Sequence, residues 1–574
     1  GGTNACVLVS TADVARTAGV CSSDSGARTR DERPLPVPLA AASPQHLRKL
    51  AATLASAIDG GELAGSSVRE IPAALAARSD HAEHRAVIVA TTPEELRERL
   101  SCLADDRPWP SPDRHAPPQI MTGRKQTGRR IAFTMTGQGG QWWAMGRELL
   151  ERDPVFRSAV EQFDRIFAPV GGWSIIAALC ATEADSRIHD AAITPAVMFA
   201  FQTGLAAVWR ARGVEPDIVL GHSFGEVTAA YLAGGIGASA VAGLVNHRGL
   251  IRNSVDRTGT MAAIGLGAHA IAPLLPADGS IEIGGFNAPD MVTLTGDEAA
   301  IDRLIAQLDV DDPAILTRKL ALDFAYHSSW FEPVEHIFKA NVGVLETALP
   351  VLPVISTVTG SLNDRFDTDY WWQNLRRPVR YQQAIEYALE LGANTFIELG
   401  PHRTLSSMTA ACAAAQRREA VTISTLDKRW GDLVSLAVAT GQLYVCGVDI
   451  DWTAIYGSSA RQLVLPAIPW VLQELWDTPE EARRSLHLAS EHPLLGRSDH
   501  GPVPAWSNEV SLSTHAFLAH HRLDGATTFP AAGYLDMLTA ASREVLGTAA
   551  IELTDVVFPA ALYIGSDDAV QLAT

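Results

Sequence analysis

The sequence predicts an α/β protein whose central part, residues 128–420, is a mostly parallel sheet covered by helices. Three observations carry this. Strand-length apolar runs alternate with helical patterns through that interval, as a parallel sheet requires. One run, residues 217–220, leads into Gly221-His222-Ser223-Phe224-Gly225 and then a helical pattern over 226–232. Another, Ile131–Met135, ends in Gly137-Gln138-Gly139-Gly140-Gln141-Trp142.

In chain order, residues 1–35 open on a strand-like run and contain the polar stretch Ser22-Ser23-Asp24-Ser25-Gly26. Residues 36–118 combine helical patterns with a strand at 87–90. Leu47, Leu50, Leu54 and Ile58 recur at helical spacing, and Pro108, Pro110, Pro112, Pro117 and Pro118 mark a linker. Within 257–320, the runs at 261–264, 281–283 and 292–294 read as strand, helix, strand, strand, helix. Residues 421–485 form a second connecting region. From residue 490 a further unit begins, with His515, His520 and His521 close together.

A chain of 574 residues is too long for one core, and three or four domains are expected. Hydrophobic content of 47% with 19% charged residues is globular composition. The net charge of −19 argues against general nucleic-acid binding. Six scattered cysteines without C-x-x-C spacing predict a reducing, cytoplasmic compartment and no structural zinc. No run reaches the ~20 apolar residues that a membrane span needs. The chain does not begin with Met and both ends read as strands, so an excised piece of a larger protein is expected.

Several residues carry candidate chemistry. A strand that turns through G-x-S-x-G into a helix holds the Ser223 hydroxyl clear of the backbone, at the positive end of the helix. The motif alone also fits an ordinary strand–turn–helix with an incidental serine. The turn at residues 137–142 presents backbone N–H groups that can face a developing oxyanion. A tight turn of small residues explains it as well, whereas a P-loop lacks its Lys-Ser/Thr here. Arg248 and His327 lie downstream; each alone is an ordinary surface charge or structural histidine.

Taken together and in this order, these residues resemble the malonyl/acyl-CoA:acyl-carrier-protein transferases embedded in type I polyketide synthases. The resemblance extends along nearly the whole chain. Gly1-Gly2-Thr3-Asn4-Ala5-Cys6-Val7 is similar to the last strand of a ketosynthase (residues 1–35). Pro36-Val37-Pro38-Leu39 and Ser43-Pro44-Gln45-His46-Leu47 resemble a ketosynthase–acyltransferase linker (36–118). The acyltransferase follows (128–420), with 257–320 as its ferredoxin-like subdomain. Its late motifs are Tyr370-Trp371-Trp372-Gln373-Asn374-Leu375-Arg376-Arg377-Pro378-Val379 and Phe396-Ile397-Glu398-Leu399-Gly400-Pro401-His402. Leu465-Pro466-Ala467-Ile468-Pro469-Trp470 belongs to a post-acyltransferase linker (421–485). His492-Pro493-Leu494-Leu495-Gly496, and His521 with Gly525 and Pro530, resemble the N-terminal part of a dehydratase (490–574). The implied fold is an α/β-hydrolase-like parallel-sheet core plus a ferredoxin-like subdomain, flanked by an α+β linker domain and a partial hotdog.

The resemblance also implies roles. Ser223 is the nucleophile and His327 its base, in a dyad whose imidazole is held by a backbone carbonyl near Arg377. The backbone N–H groups of Gln138 and Phe224 form the oxyanion hole. Arg248 clamps the acyl carboxylate. Phe324 and Tyr326 set acyl selectivity, where a bulky third residue in Phe324-Ala325-Tyr326-His327 goes with malonyl. His521 is the dehydratase base. The implied substrate is malonyl-CoA and the acceptor is the phosphopantetheine thiol of an acyl carrier protein, with no tightly bound cofactor. Other partners are the ketosynthase and remaining domains of the same synthase; neither nucleic acid nor membrane is expected. The loop and the FAYH run together resemble iterative synthases of the 6-methylsalicylic-acid type. Two departures stand out: the family usually has Pro at Thr136 and Gln at Thr194, the latter removing an amide expected near the serine. The alternatives are a methylmalonyl- or acetyl-selective transferase, or a serine esterase or thioesterase of α/β-hydrolase type, which needs an acid behind the histidine and has no use for Arg248.

Overall fold

Strand after strand in the middle of the chain is apolar on both faces, and the computed structural model places these strands where both faces are covered. It describes residues 33–574 apart from 79–80, 111–112, 114, 256, 321, 323, 458–462, 468, 470–491, 500 and 567. The ketosynthase-like stretch at 1–32, with Cys6 and the Ser22–Gly26 run, lies outside the described residues, as do Ile468 and Trp470 of the late linker motif. The chain divides into two units, Gly1–Val471 and Leu472–Thr574.

The core of the first unit is a five-stranded sheet. Its strands run in the order Val354–Ile355, Ile218–Gly221, Ile131–Met135, Thr395–Leu399, Val421–Ser424, all parallel. The three interior strands are buried along their whole length, which is why they read as largely apolar runs. The edge strand Val421–Ser424 is only partly buried and carries Thr422 and Ser424, so its apolar signal is weak. It completes the sheet from beyond residue 420, where the sequence pattern placed the end of the domain. The helix Thr194–Ala211, buried from Thr194 through Leu205, packs behind the elbow helix Gly225–Leu232.

A second, antiparallel sheet of four strands follows the order Ile281–Ala288, Met291–Gly296, Thr260–Ile264, Thr317–Lys319. The helix Glu298–Asp311 packs on it through Ile301, Leu304 and Leu308. This is the ferredoxin-like subdomain. It joins the large sheet's surroundings through Phe286 N–H to the Val379 carbonyl, 2.8 Å, and Val379 N–H to the Gly284 carbonyl, 2.9 Å.

The N-terminal region forms an antiparallel sheet of Leu35–Ala41, His84–Ala90 and Ile120–Arg124. Ser43 caps the helix Pro44–Ile58 and Thr92 caps Pro93–Ala104, each just before a proline that suits the first helical turn. The helix Asp432–Cys446 packs against this sheet. Buried Arg85 seals the contact by donating to the Tyr444 carbonyl at 2.9 Å, with its guanidinium carbon 4.4 Å from the Tyr444 ring centre. The chain thus returns to the N-terminal sheet well before the motif at 465–470.

In the second unit, Arg497–Asp499, Ala505–Ser511 and Ala569–Ala573 form an antiparallel sheet. The helix Ala531–Leu546 buries Gly533, Met537 and Ala541. Phe529 and Trp506 pack in the same small core. Among the described residues of the chain, no helix is long and apolar enough to cross a membrane.

Candidate active site

The strand Ile218–Gly221 ends at a turn whose tip is Ser223, held at a φ of 53°. That left-handed conformation is costly for a residue with a Cβ and marks the strained elbow. The flanking glycines make the turn possible. A Cβ on Gly221 would lie 2.0 Å from the carbonyl carbon of Gly225, and one on Gly225 would lie 2.3 Å from the carbonyl oxygen of Met135. The elbow is therefore pressed onto the end of the neighbouring strand, beside the loop that carries Gln138.

His327 also has a positive φ, 63°. Its N–H donates to the Leu375 carbonyl at 3.2 Å, and the preceding carbonyl, of Tyr326, accepts from Thr295 Oγ1 at 2.8 Å. The result is a Ser223 Oγ to His327 Nε2 distance of 2.6 Å. On its other side, Nδ1 lies 2.8 Å from the Arg377 carbonyl. A carbonyl only accepts, so Nδ1 carries the proton and the Nε2 lone pair faces the serine. The ring is 3% exposed. Burial first, then the charge of Arg248, pushes its pKa down to about 3, with the Arg377 carbonyl opposing. The imidazole is neutral at neutral pH and free to take a proton.

Arg248 ends the helix Ala238–Leu250 and is 2% exposed. Its Nη1 donates to Asn374 Oδ1 at 2.7 Å, while its Nε is buried without a partner. The guanidinium carbon lies 5.7 Å from the Phe224 ring centre. Burial lowers its pKa to about 10, so the charge is retained. No carboxylate contacts it among the described residues. Such a charge needs a counter-ion.

Asn374 continues inward. Its Nδ2 donates to the Ser223 carbonyl and to Glu226 Oε1, both at 3.1 Å. Glu226, in the first turn of the elbow helix, is fully buried. It also accepts from Thr357 N–H at 2.9 Å, from the Thr357 hydroxyl and from the Tyr370 hydroxyl. Burial pushes its pKa up to about 7 against those bonds.

The remaining expected residues are placed as follows. The backbone N–H groups of Gln138 and Phe224 donate to no other backbone group among the described residues. Phe224 immediately precedes the elbow helix. The Phe324 and Tyr326 rings are buried 4.3 Å apart, and the Tyr326 hydroxyl reaches the Arg248 carbonyl at 3.4 Å. Thr194 turns its hydroxyl onto the Ile188 and Asp190 carbonyls, 2.8 and 2.9 Å. A different amide serves the neighbourhood: Gln202 Nε2 donates to the Thr136 carbonyl at 2.7 Å and hydroxyl at 3.2 Å.

His521 lies in the second unit, exposed, with Nδ1 donating to the Thr528 carbonyl at 2.8 Å. His515 is instead pinned to the Pro493 carbonyl at 2.9 Å.

Glu226, Asn374 and His222 are site residues that the motif reading passed over. His222 Nε2 donates to Asn287 Oδ1 at 2.9 Å, linking the elbow to the ferredoxin-like sheet. Glu226 and Asn374 stood inside recognised motifs, and a signal was present: a carboxylate opening an otherwise apolar helix.

Comparison with known proteins gives the family. The Acyl transferase domain family matches residues 132–450, and the Polyketide synthase dehydratase domain family matches residues 492–574. Erythronolide synthase EryA3 of Saccharopolyspora erythraea is 32% identical over 83% of this chain, but over 14% of its own length. Mycoketide-CoA synthase of Mycobacterium tuberculosis is 30% identical over 91% of the chain and 12% of its own length. The chain thus spans a small part of such relatives. Among solved structures, the acyltransferase domain from module 8 of the salinomycin polyketide synthase is 28% identical with a TM-score of 0.68, covering 73% of this chain and 98% of that one. The acyltransferase domain of SpnD, in complex with 2-(pent-4-yn-1-yl)malonyl, is 27% identical with a TM-score of 0.60, covering 73% and 97%. This chain belongs to the acyl transferase domain family of type I polyketide synthases and continues into a polyketide synthase dehydratase domain.

Proposed function

We propose that this chain moves a malonyl group from malonyl-CoA to Ser223 and then to the phosphopantetheine thiol of an acyl carrier protein. The observation that carries the reading is a buried Arg248 with no carboxylate in contact among the described residues, beside a Ser–His pair. A guanidinium there binds a free carboxylate in two parallel bonds, which a plain acyl group cannot offer.

The steps follow from the groups present. His327 Nε2 takes the Ser223 proton as Oγ attacks the thioester carbonyl. The N–H groups of Gln138 and Phe224 receive the oxyanion. As the carbonyl re-forms, the imidazolium returns its proton to the departing CoA sulfur. The carrier thiol then gives its proton to the same imidazole and attacks the acyl-serine. As that intermediate collapses, the acyl–Oγ bond breaks, the imidazolium returns the proton to Ser223 Oγ, and the acyl group leaves as the carrier thioester. The Arg377 carbonyl, rather than a carboxylate, behind His327 favours this reading over an esterase with a full triad.

Malonyl is proposed over methylmalonyl because Tyr326 fills space beside Arg248. The SpnD relative holds a substituted malonyl group on the same fold, so side chains rather than architecture set this choice. In a one-pot competition between the two CoA thioesters, read by intact mass of the loaded protein, the malonyl adduct is expected to dominate by about tenfold, the scale of one methyl in a tight pocket. Equal loading would sink the assignment of Tyr326, and free malonate released without a stable adduct would favour a hydrolase.

The pH profile is a second test. The imidazole's acid limb in kcat/KM for loading is expected far below the ordinary histidine range, toward about 3. Protonation of His327 stops the reaction, and its lowered pKa moves that loss to lower pH. A limb near 7 that disappears in Glu226→Gln belongs to Glu226. A limb near 6.5 that survives in that variant would show an ordinary histidine.

The same reading takes 36–118 and 421–485 as linkers around a transferase at 128–420, with 490–574 as the dehydratase-like part. His521 is its proposed base. Dehydration needs an acid as well, and no carboxylate pairs with His521 among the described residues. This chain alone is expected to leave a β-hydroxyacyl thioester unchanged; dehydration that His521→Ala removes would overturn that.

A further inference from the structure

The amide between Arg248 and Glu226 has a fixed orientation. Asn374 uses both Nδ2 hydrogens, on Glu226 Oε1 and the Ser223 carbonyl, and presents Oδ1 to Arg248 Nη1. Flipping it would set donor against donor at Arg248 and acceptor against acceptors on the far side. Glu226 is therefore the carboxyl group that faces Arg248, but one side chain removed. Its own carboxylate is fully engaged by Thr357, Tyr370 and Asn374.

The separation has a consequence for selectivity. A carboxylate in contact with Arg248 would saturate the guanidinium and repel an incoming one. A neutral amide holds the guanidinium in place while leaving its charge unneutralised at contact distance. Because the amide also grips the Ser223 carbonyl, the clamp is fixed relative to the nucleophile.

We propose that Asn374 and Glu226 are positioning residues that give this site its selectivity for acyl groups bearing a free carboxylate, by holding Arg248 oriented yet unpaired. This rests on the reading of Arg248 as the carboxylate clamp. Asn374→Ala removes the orientation. Asn374→Asp is nearly isosteric but brings a carboxylate against Arg248. Glu226→Gln keeps the shape and an acceptor oxygen for Asn374, removes the charge, and sets an NH₂ donor where Oε2 accepts from Tyr370.

The experiment measures kcat/KM, with kcat and KM resolved, for loading of the full chain from malonyl-CoA and from acetyl-CoA. Thermal melting reports on folding. Asn374→Asp is expected to reduce the malonyl-to-acetyl preference by about 100-fold, mostly through KM, and Asn374→Ala by about 10-fold, the range for one hydrogen bond to a charged group. Glu226→Gln is expected to shift the preference the same way by a smaller factor. Equal losses for both acyl groups in properly folded Asn374 variants overturn the proposal. If those variants do not fold, Glu226→Gln decides alone: an unchanged preference overturns it. Arg248→Ala runs alongside. If it loses malonyl selectively while the Asn374 and Glu226 variants do not, only the relay is wrong. If it loses both acyl groups equally, the clamp reading falls, and the relay with it.

Discussion

Ser223→Ala is expected to abolish acyl loading while leaving the fold intact. The loss should exceed about 10⁴-fold in kcat, because nothing else in the pair can form the acyl-enzyme. The substitution keeps the Cβ, so the strain at a φ of 53° is unchanged. What disappears is one hydrogen bond to His327, worth about 1 kcal/mol of stability. The measurement is intact mass after mixing with malonyl-CoA, paired with a melting curve. An adduct that still forms at the wild-type rate would place the acyl group on another residue.

Arg248→Ala is expected to have the next largest effect, and an uneven one. Losing a buried charge-assisted partner costs about 2–5 kcal/mol in transition-state binding, or roughly 30- to 5,000-fold in malonyl transfer. Acetyl transfer lacks the carboxylate and should change little. The stability outcome has the opposite sign to the usual one. Arg248 is desolvated and in contact with no carboxylate among the described residues, so the empty enzyme bears a cost that the substrate relieves. Removing the charge leaves Asn374 Oδ1 without its donor but abolishes that cost, and the melting temperature is expected to hold or rise. Strain of this kind is common where function overrides stability. Equal losses for both acyl groups, together with a falling melting temperature, would mark Arg248 as structural.

Much of the site is legible locally because its chemistry is local. Strand, G-x-S-x-G and helix are contiguous, and the glycines are required by backbone contacts that any such turn makes. The loop carrying Gln138 is likewise a glycine-rich turn that directly follows a strand. Buried strands such as Ile131–Met135 announce themselves as apolar runs, whereas the half-exposed strand Val421–Ser424 does not. Only family resemblance points to the Phe324–His327 run and the Arg377 carbonyl, since no periodicity in the chain joins them to Ser223.

Composition and local pattern thus determined the elements, the elbow and the residue types available for acyl transfer. Tertiary structure alone decided which of them meet. The serine and its histidine are separated by 104 residues, and the Asn374 amide reaches its Glu226 partner across 148. Such pairings are set by the order of strands in the sheet and by the docking of the ferredoxin-like subdomain. His222 adjoins Ser223 in sequence yet turns to Asn287 on that subdomain, while the distant His327 takes the place beside the hydroxyl. Burial is also a tertiary property: it moves Glu226, Arg248 and His327 away from their ordinary pKa ranges, because charge is costly only where water has been excluded.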